Sequence, residues 1–338
     1  MPARHRVSTI LGLTAAASLA LAGCASGTGP ASGDAADGAI AVVASTNVYG
    51  QLAEEVGGDL VEVTSIVDSA SQDPHSFEPS ARDQLTVADA QLVIENGGGY
   101  DAFIDALLES SGSDAHVITA VEFSHSWPEN AGHEDEHAED EHAEDEHAEE
   151  EHAEEAHADH GHVEGFNEHV WYDPHTMGYV VEEIAAELAE LSPDDAETFS
   201  ANADALLAEI EGLESELAQL ESSVGGAQVF VTEPVSVYLA AAAGLDIVTP
   251  DAFSEAVEEG QDVPPATLLE ALTLLRDGEV DVVIANAQTG GAETTQVLDE
   301  AETASIPVVE FAETLPEGQT YISWMQENIA ALGEALEA

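Results

Sequence analysis

A chain of 338 residues with 4 Lys+Arg against 70 Asp+Glu is long enough for two domains and a substantial core. Every basic residue is Arg, and the lack of Lys excludes a Walker-type phosphate loop and a Schiff-base lysine, which both need that ammonium. A formal net charge of -66 repels nucleic acid and anionic membrane surfaces and attracts cations. The same excess suits a salty habitat, where acidic surfaces keep a protein soluble while salt screens charge.

The chain opens with Arg4 and Arg6, then an apolar run from Val7 to Ala22, too short for a comfortable membrane span. Leu21-Ala22-Gly23-Cys24 has the form of a bacterial lipoprotein signal. Residues 1–23 are expected to be removed and Cys24, the single cysteine, to carry the lipid. An ordinary secretory cleavage nearby is the alternative, and either one exports the mature protein. Residues 24–38, rich in Gly, Ala, Ser and Asp, are expected to form a tether.

From Ala39 the pattern becomes globular. Ala39 to Ala44, Leu60 to Val67, Gln91 to Ile94 and His116 to Ile118 predict strands. Helical stretches fall near Tyr49 to Val56, Ser80 to Ala88 and Tyr100 to Glu109, and such alternation predicts a parallel sheet with helical crossovers. Asn96-Gly97-Gly98-Gly99 lacks the full glycine fingerprint of a phosphate cradle and reads as a plain turn.

Residues 125–162 stand apart. His133, His137, His142, His147, His152, His157, His160 and His162 recur with little between them but Glu, Asp and Ala. A five-residue repeat turns about 140° per step on a helix at about 100° per residue, so these side chains would not share one face. Like charge and low hydrophobicity predict a solvated, disordered loop whose imidazoles and carboxylates gather divalent cations in interchangeable geometries. A charged linker with no ligand is the plain alternative, although acid alone would serve a linker and the regular His points to metal. His133-Glu134-Asp135-Glu136-His137 formally fits the H-E-x-x-H metalloprotease pattern. A repeat of His and acids generates that match by chance, and no apolar helix face supports it.

Beyond the tract, Ser192-Pro193 reads as a helix start, with the hydroxyl as cap and Pro at the first helical position. Phe199, Ala203, Leu206, Ile210, Leu213, Leu217 and Leu220 alternate four and three apart and predict one amphipathic helix ending at Gly225-Gly226. At 1.5 Å per residue, about 30 residues reach roughly 45 Å, which suits a rigid link between two halves. In the second half Ala227 to Val231, Asp246 to Val248, Asp281 to Ala285 and Pro307 to Glu310 predict strands. Helices are expected near Val235 to Ala243, Pro265 to Leu275, Ala292 to Glu302 and Thr320 to Glu337. The fold class is therefore α/β, with two open parallel-sheet lobes, 39–191 and 225–338, joined by one long interdomain helix over 192–224. A ligand is expected in the crevice at the carboxyl ends of the strands.

Four residues fall at such strand ends or beside the tract. His75 lies in Asp73-Pro74-His75 after the second strand, and His169 lies among apolar and aromatic neighbours in Asn167 to Pro174. His175, just after Pro174 at the start of the next helix, reads instead as a capping or surface residue. Glu233 closes the first strand of the second half, and Glu313 follows the last. Each alone is unremarkable in so acidic a chain, and together they suggest a metal site.

These segments resemble the zinc and manganese solute-binding lipoproteins of bacterial ABC importers. The resemblance runs from Ala39 onward and rests on Ala44-Ser45-Thr46-Asn47, Asp73-Pro74-His75-Ser76-Phe77-Glu78-Pro79, His169-Val170-Trp171-Tyr172-Asp173-Pro174, the long helix, and the run from Glu313 to Tyr321. It implies four ligands around one ion, two from each lobe: His75, His169, Glu233 and Glu313. Its third ligand is often His and its last commonly Asp, so Glu233 and Glu313 are departures toward a harder donor set that favours Mn²⁺. The His-rich tract resembles the zinc-importing branch, and zinc has the higher intrinsic affinity. Zn²⁺ is therefore the expected cargo, with Mn²⁺ and then Fe²⁺ as alternatives. The resemblance further implies a monomer with no enzymatic activity, lipid-anchored outside the cell membrane and partnered by a permease and an ATPase. A metal-binding surface adhesin would share the fold and the anchor.

Overall fold

The computed structural model describes residues 38–130, 163 and 165–337. Cys24, with the whole leader and most of the tether, and the tract residues His133, His137, His142, His147, His152, His157, His160 and His162 lie outside them. Residues 125–130, which composition grouped with the tract, are folded. Pro128–Asn130 make a single 3₁₀ turn, Trp127 packs edge-on against Phe166, and the Asn130 amide donates to the carbonyls of Glu122 and Ser124.

The first half contains β1 (Ile40–Thr46), α1 (Asn47–Gly57), β2 (Val61–Val67), α2 (Ala81–Ala88), β3 (Leu92–Glu95), α3 (Phe103–Ser111) and β4 (His116–Thr119). Two helices follow, α4 (Pro174–Leu191) and α5 (Ala196–Val224). The second half contains β5 (Gln228–Val231), α6 (Val237–Ala242), β6 (Asp246–Ile247), α7 (Asp251–Glu258), α8 (Pro265–Asp277), β7 (Val282–Asn286), α9 (Ala292–Ala304), β8 (Val308–Phe311) and α10 (Tyr321–Glu337). Two parallel sheets result, ordered β2-β1-β3-β4 and β6-β5-β7-β8. Burial explains the strand sequences. β3 and β7 are covered on both faces and are buried throughout, whereas the edge strands β2 and β8 alternate. In each sheet the chain leaves a central strand for the edge and returns on its other side, which opens a crevice at the carboxyl ends between β1 and β3 and between β5 and β7.

Local chemistry sets the helix ends. Ser80 and Asp83 form a reciprocal capping box that starts α2. All seven apolar positions of the four-three pattern in α5 are buried. Its start differs from the sequence expectation. Pro193–Asp195 form a 3₁₀ turn, and the Ser192 hydroxyl donates to the Asp195 carboxylate instead of capping the helix. The α5 face binds both halves: the Asn202 amide donates to the Val56 carbonyl of α1, and Leu220 comes so close to α10 that a Cβ on Gly333 would sit 3.3 Å from it.

The long helix is not the only connection. One apolar core runs from β1 through α4 and α5 to β5 and α10. Tyr172 stacks on Phe311 with centroids 5.8 Å apart and donates its hydroxyl to the Ala312 carbonyl, and the Tyr321 hydroxyl donates to the Trp171 carbonyl. Asn47 exchanges two hydrogen bonds with the backbone of Leu315.

The Asn96–Gly99 turn is a turn and not a phosphate cradle, because the protein's own carboxylate fills it. Asp101 accepts from the backbone N–H groups of Asn96 and Gly97, at 2.6 and 2.8 Å. Gly97 has φ +79, and a Cβ there would sit 2.4 Å from the Thr119 methyl, so any side chain would meet strain and a clash. Burial pushes the Asp101 carboxyl up to about 6. Burial, and then the Asp101 charge, push Glu95 up to about 7. Both therefore keep their protons to higher pH in the folded chain than in the unfolded one, where values near 3.8 and 4.5 apply. Their contribution to stability is complete below the unfolded values and is lost as pH rises through about 6 and 7. Replacing Glu95 with Gln should flatten the pH dependence of unfolding of the metal-free protein between pH 4.5 and 8 by on the order of 2–3 kcal/mol. Parallel urea curves for the two proteins across that range would show that Glu95 titrates normally.

Candidate metal centre

The sequence builds the site from three strand-end loops and the segment that leads into the 3₁₀ turn Val170–Tyr172. After β2 the chain runs to the one-turn Pro74–Ser76, held by Asp73, whose carboxylate accepts from the His75 N–H at 3.0 Å and the Ser76 hydroxyl at 2.7 Å. This fixes the base of His75. Its ring packs edge-on against Tyr100, with centroids 4.8 Å apart.

His169 is fixed more completely. Asn167 Oδ1 accepts from the His169 backbone N–H at 3.1 Å and lies 2.7 Å from its Nδ1, while Asn167 Nδ2 donates to the Pro234 carbonyl at 2.9 Å. That second bond settles which end of the amide faces the ring. An amide oxygen only accepts, so Nδ1 carries the proton and Nε2 presents its lone pair, the tautomer a metal needs. Tyr100 and Trp171 enclose the ring, with centroids 5.8 and 5.1 Å away.

Asn286 ends β7 and organises the two acids of the second half. Its Nδ2 donates to Glu233 Oε2 at 2.8 Å and to Glu313 Oε1 at 2.6 Å, so one amide group holds both carboxylates. The Thr289 hydroxyl donates to the other oxygen of Glu233. Gln288 Oε1 accepts from the backbone of Glu313 and Thr314, and its Nε2 donates to the Gln72 carbonyl. One side chain therefore joins the loop bearing Glu313 to the loop leading to His75.

His75, His169 and Glu313 converge, with ligand atoms all within 4.8 Å of one another, and His75 Nε2 lies 3.7 Å from Glu313 Oε2. Two donors about 2.1 Å from one ion can be at most about 4.2 Å apart, so closure on a cation needs an inward shift of under about 1 Å. Glu233 lies outside that group and is tied to it through Asn286. The site is closed: His169 and Glu313 are 0% and 1% exposed, and the His75 side chain, at 15%, is the nearest to solvent.

Electrostatics point to a cation. Burial, followed by the charges of Glu233 and Asp73, pushes Glu313 up to about 8, and burial also raises Glu233. Carboxylates buried together without a counter-charge favour the protonated form, and a divalent cation reverses that preference and releases the protons. His175 is not part of this group. It is exposed and pairs with Glu214 on α5 at 3.0 Å.

Sequence reasoning missed Glu258, the last residue of α7. Its carboxylate comes within 3.6 Å of His169 Nε2, and it forms a second ligand group with His75 and Glu168. Burial and then the charges of Glu168, Glu233 and Glu313 push it up to about 9. In sequence it is one acid among Glu255, Glu258 and Glu259, and only tertiary placement distinguishes it. A third group, His116, Glu187 and Glu190, lies at the amino end of β4 and is largely exposed.

Comparison with known proteins gives the chain a family and a shared fold. The chain is 25% identical over 160 residues to the manganese-binding lipoprotein MntA of Halalkalibacterium halodurans, covering 47% of this chain and 42% of that one. It is 26% identical over 186 residues to MntA of Bacillus subtilis, covering 54% and 49%. The matched part thus spans about half the length of these relatives. The solved structure of the periplasmic zinc-binding protein TroA from Treponema pallidum superposes with a TM-score of 0.68 at 16% identity, over 88% of this chain and 99% of that one, and so shares the fold. The model of the family described as ZnuA, zinc-uptake complex component A, periplasmic, matches residues 42–335, and the chain belongs to that family of metal-binding substrate-binding proteins of ABC transporters.

Proposed function

We propose that the protein captures Zn²⁺ outside the cell membrane and delivers it to the permease of an ABC importer powered by an ATPase subunit. The observation that carries this reading is the preset His169, whose proton is held on Nδ1 by Asn167 and whose ring offers a ligand atom within 4.8 Å of those of His75 and Glu313. His75, His169, Glu233 and Glu313 serve as the ligands, with Glu233 entering through the oxygens that Asn286 and Thr289 orient. Two imidazoles and two carboxylates suit four-coordinate zinc, and the order of divalent affinities favours zinc over manganese at a site open to both. The ion is cargo, and no bond in a substrate is changed.

The chain's division into lobes over 39–191 and 225–338, linked by 192–224, belongs to the same proposal, as do the monomeric state and a lipid anchor at Cys24. The relatives named as lipoproteins support the anchor. The tract from His133 to His162 would gather ions for the buried site.

Manganese has support of its own, from the two acids in the donor set and from the manganese-binding relatives. Competitive titration of Zn²⁺ against Mn²⁺, with and without residues 131–162, separates the readings. The zinc reading expects one tight zinc site that survives the deletion. Retention of manganese, with zinc lost on deletion, would make the importer a manganese system.

A further inference from the structure

Four residues account for a four-coordinate ion, yet a fifth side chain, a third carboxylate, points at the same place. Glu258 ends α7, a helix that buries only Phe253 of its eight residues and so contributes little core of its own. The Glu258 side chain is nevertheless only 13% exposed, and its Oε1 receives no hydrogen bond among the described residues. That oxygen lies 3.6 Å from His169 Nε2, the nitrogen that Asn167 presets for a metal. Glu258 also forms a group with His75 and with Glu168, itself 3% exposed, in which ligand atoms lie within 4.8 Å of one another. The two ligand groups, one with Glu313 and one with Glu258, share His75. A buried carboxylate oxygen without a donor costs free energy unless a cation meets it, and its nearest described approach is to a metal-facing nitrogen.

We propose that Glu258 is an additional metal ligand that raises the coordination number of the site and sets how well it holds Mn²⁺ relative to Zn²⁺. This rests on the reading of the site as a metal-capture centre. Zinc is satisfied by four ligands, whereas manganese takes more oxygen donors in an octahedral arrangement. With Glu258 the donor set is two imidazole nitrogens and three carboxylates, which can accommodate the larger coordination number. Without it the site is left with the four-ligand set that suits zinc.

The test uses the full-length chain in two variants: Glu258→Gln, which keeps the volume and removes the charge, and Glu258→Ala. Zn²⁺ and Mn²⁺ are titrated separately. Tryptophan fluorescence is the readout, because the Trp171 ring lies 5.1 Å from His169 and so reports this site. A fast chelator in the titration strips weaker sites elsewhere. Both variants should weaken Mn²⁺ by about 10–100-fold and Zn²⁺ by at least about 10-fold less, while Glu259→Gln, the exposed neighbour, changes neither. The comparison of the two ions decides the matter, since a charge acting only through space weakens two divalent cations alike. Equal losses for Mn²⁺ and Zn²⁺, or no loss for either, would overturn the proposal. If the unaltered protein shows no tight response to either ion, the metal-capture reading itself fails, and that result is distinguishable from the loss of Glu258 alone.

Discussion

Zinc titrated into the His169→Ala protein is expected to bind the buried site more than about 100-fold more weakly than in the unaltered protein. Loss of a residue that merely orients a ligand costs about 10–100-fold, and His169 is itself placed as a ligand, with its tautomer preset by Asn167. The substitution also leaves Glu313 and Glu258 facing a gap where a nitrogen donor stood. His175→Ala provides the control, because that imidazole is exposed and pairs with Glu214. Isothermal titration of both variants lacking residues 131–162 isolates the site from the His-rich tract. An affinity for His169→Ala within about threefold of the unaltered value would remove His169 from the ligand set.

Trp171→Ala is expected to be the most destabilising single change around the site, by about 3–5 kcal/mol. The ring is 1% exposed and packs against Tyr100, His169 and Tyr172, at centroid distances of 4.6, 5.1 and 6.2 Å. Truncation opens a cavity behind His169 that the surrounding 3₁₀ turn Val170–Tyr172 cannot readily collapse into. Because that turn carries the Trp171 carbonyl bonded by Tyr321 and the Tyr172 hydroxyl bonded to Ala312, the cavity also loosens the contact between the two halves. Urea unfolding of the metal-free protein measures the change. A loss below about 1 kcal/mol would mean that the aromatic cluster repacks and does not brace the site.

The fold was legible wherever burial leaves a period in the sequence. Each expected strand forms, because fully covered strands such as β3 and β7 must be continuously apolar. The four-three pattern marks the buried side of α5 residue for residue. Legibility fails where structure depends on something other than period. α7 has only eight residues and fully buries only Phe253, so its apolar face of Phe253, Ala256 and Val257 is too short to stand out. Ser192 looks like a cap, but the Asp195 carboxylate accepts its hydroxyl hydrogen bond, and the helix starts after that turn. The stretch 125–130 shares the polarity of the tract, yet Trp127 finds Phe166 and folds it back. Within the candidate site, strand-end position marks His75, Glu233 and Glu313, aromatic neighbours beside the tract mark His169, and the family resemblance is what joins the four into one expected ligand set. The residues that orient them, Asn167 in one segment and Asn286 and Gln288 in another, carry no local mark. Glu258 is hidden for the same reason, with the added camouflage of acidic neighbours.

The most direct measurement is anomalous diffraction at the zinc edge from crystals of the zinc-loaded protein. The account predicts a strong peak within about 2.0–2.2 Å of His75, His169 Nε2 and Glu313, with a Glu233 oxygen completing the shell. A protein that binds zinc tightly but shows its principal peak away from His169 and Glu313 would contradict it.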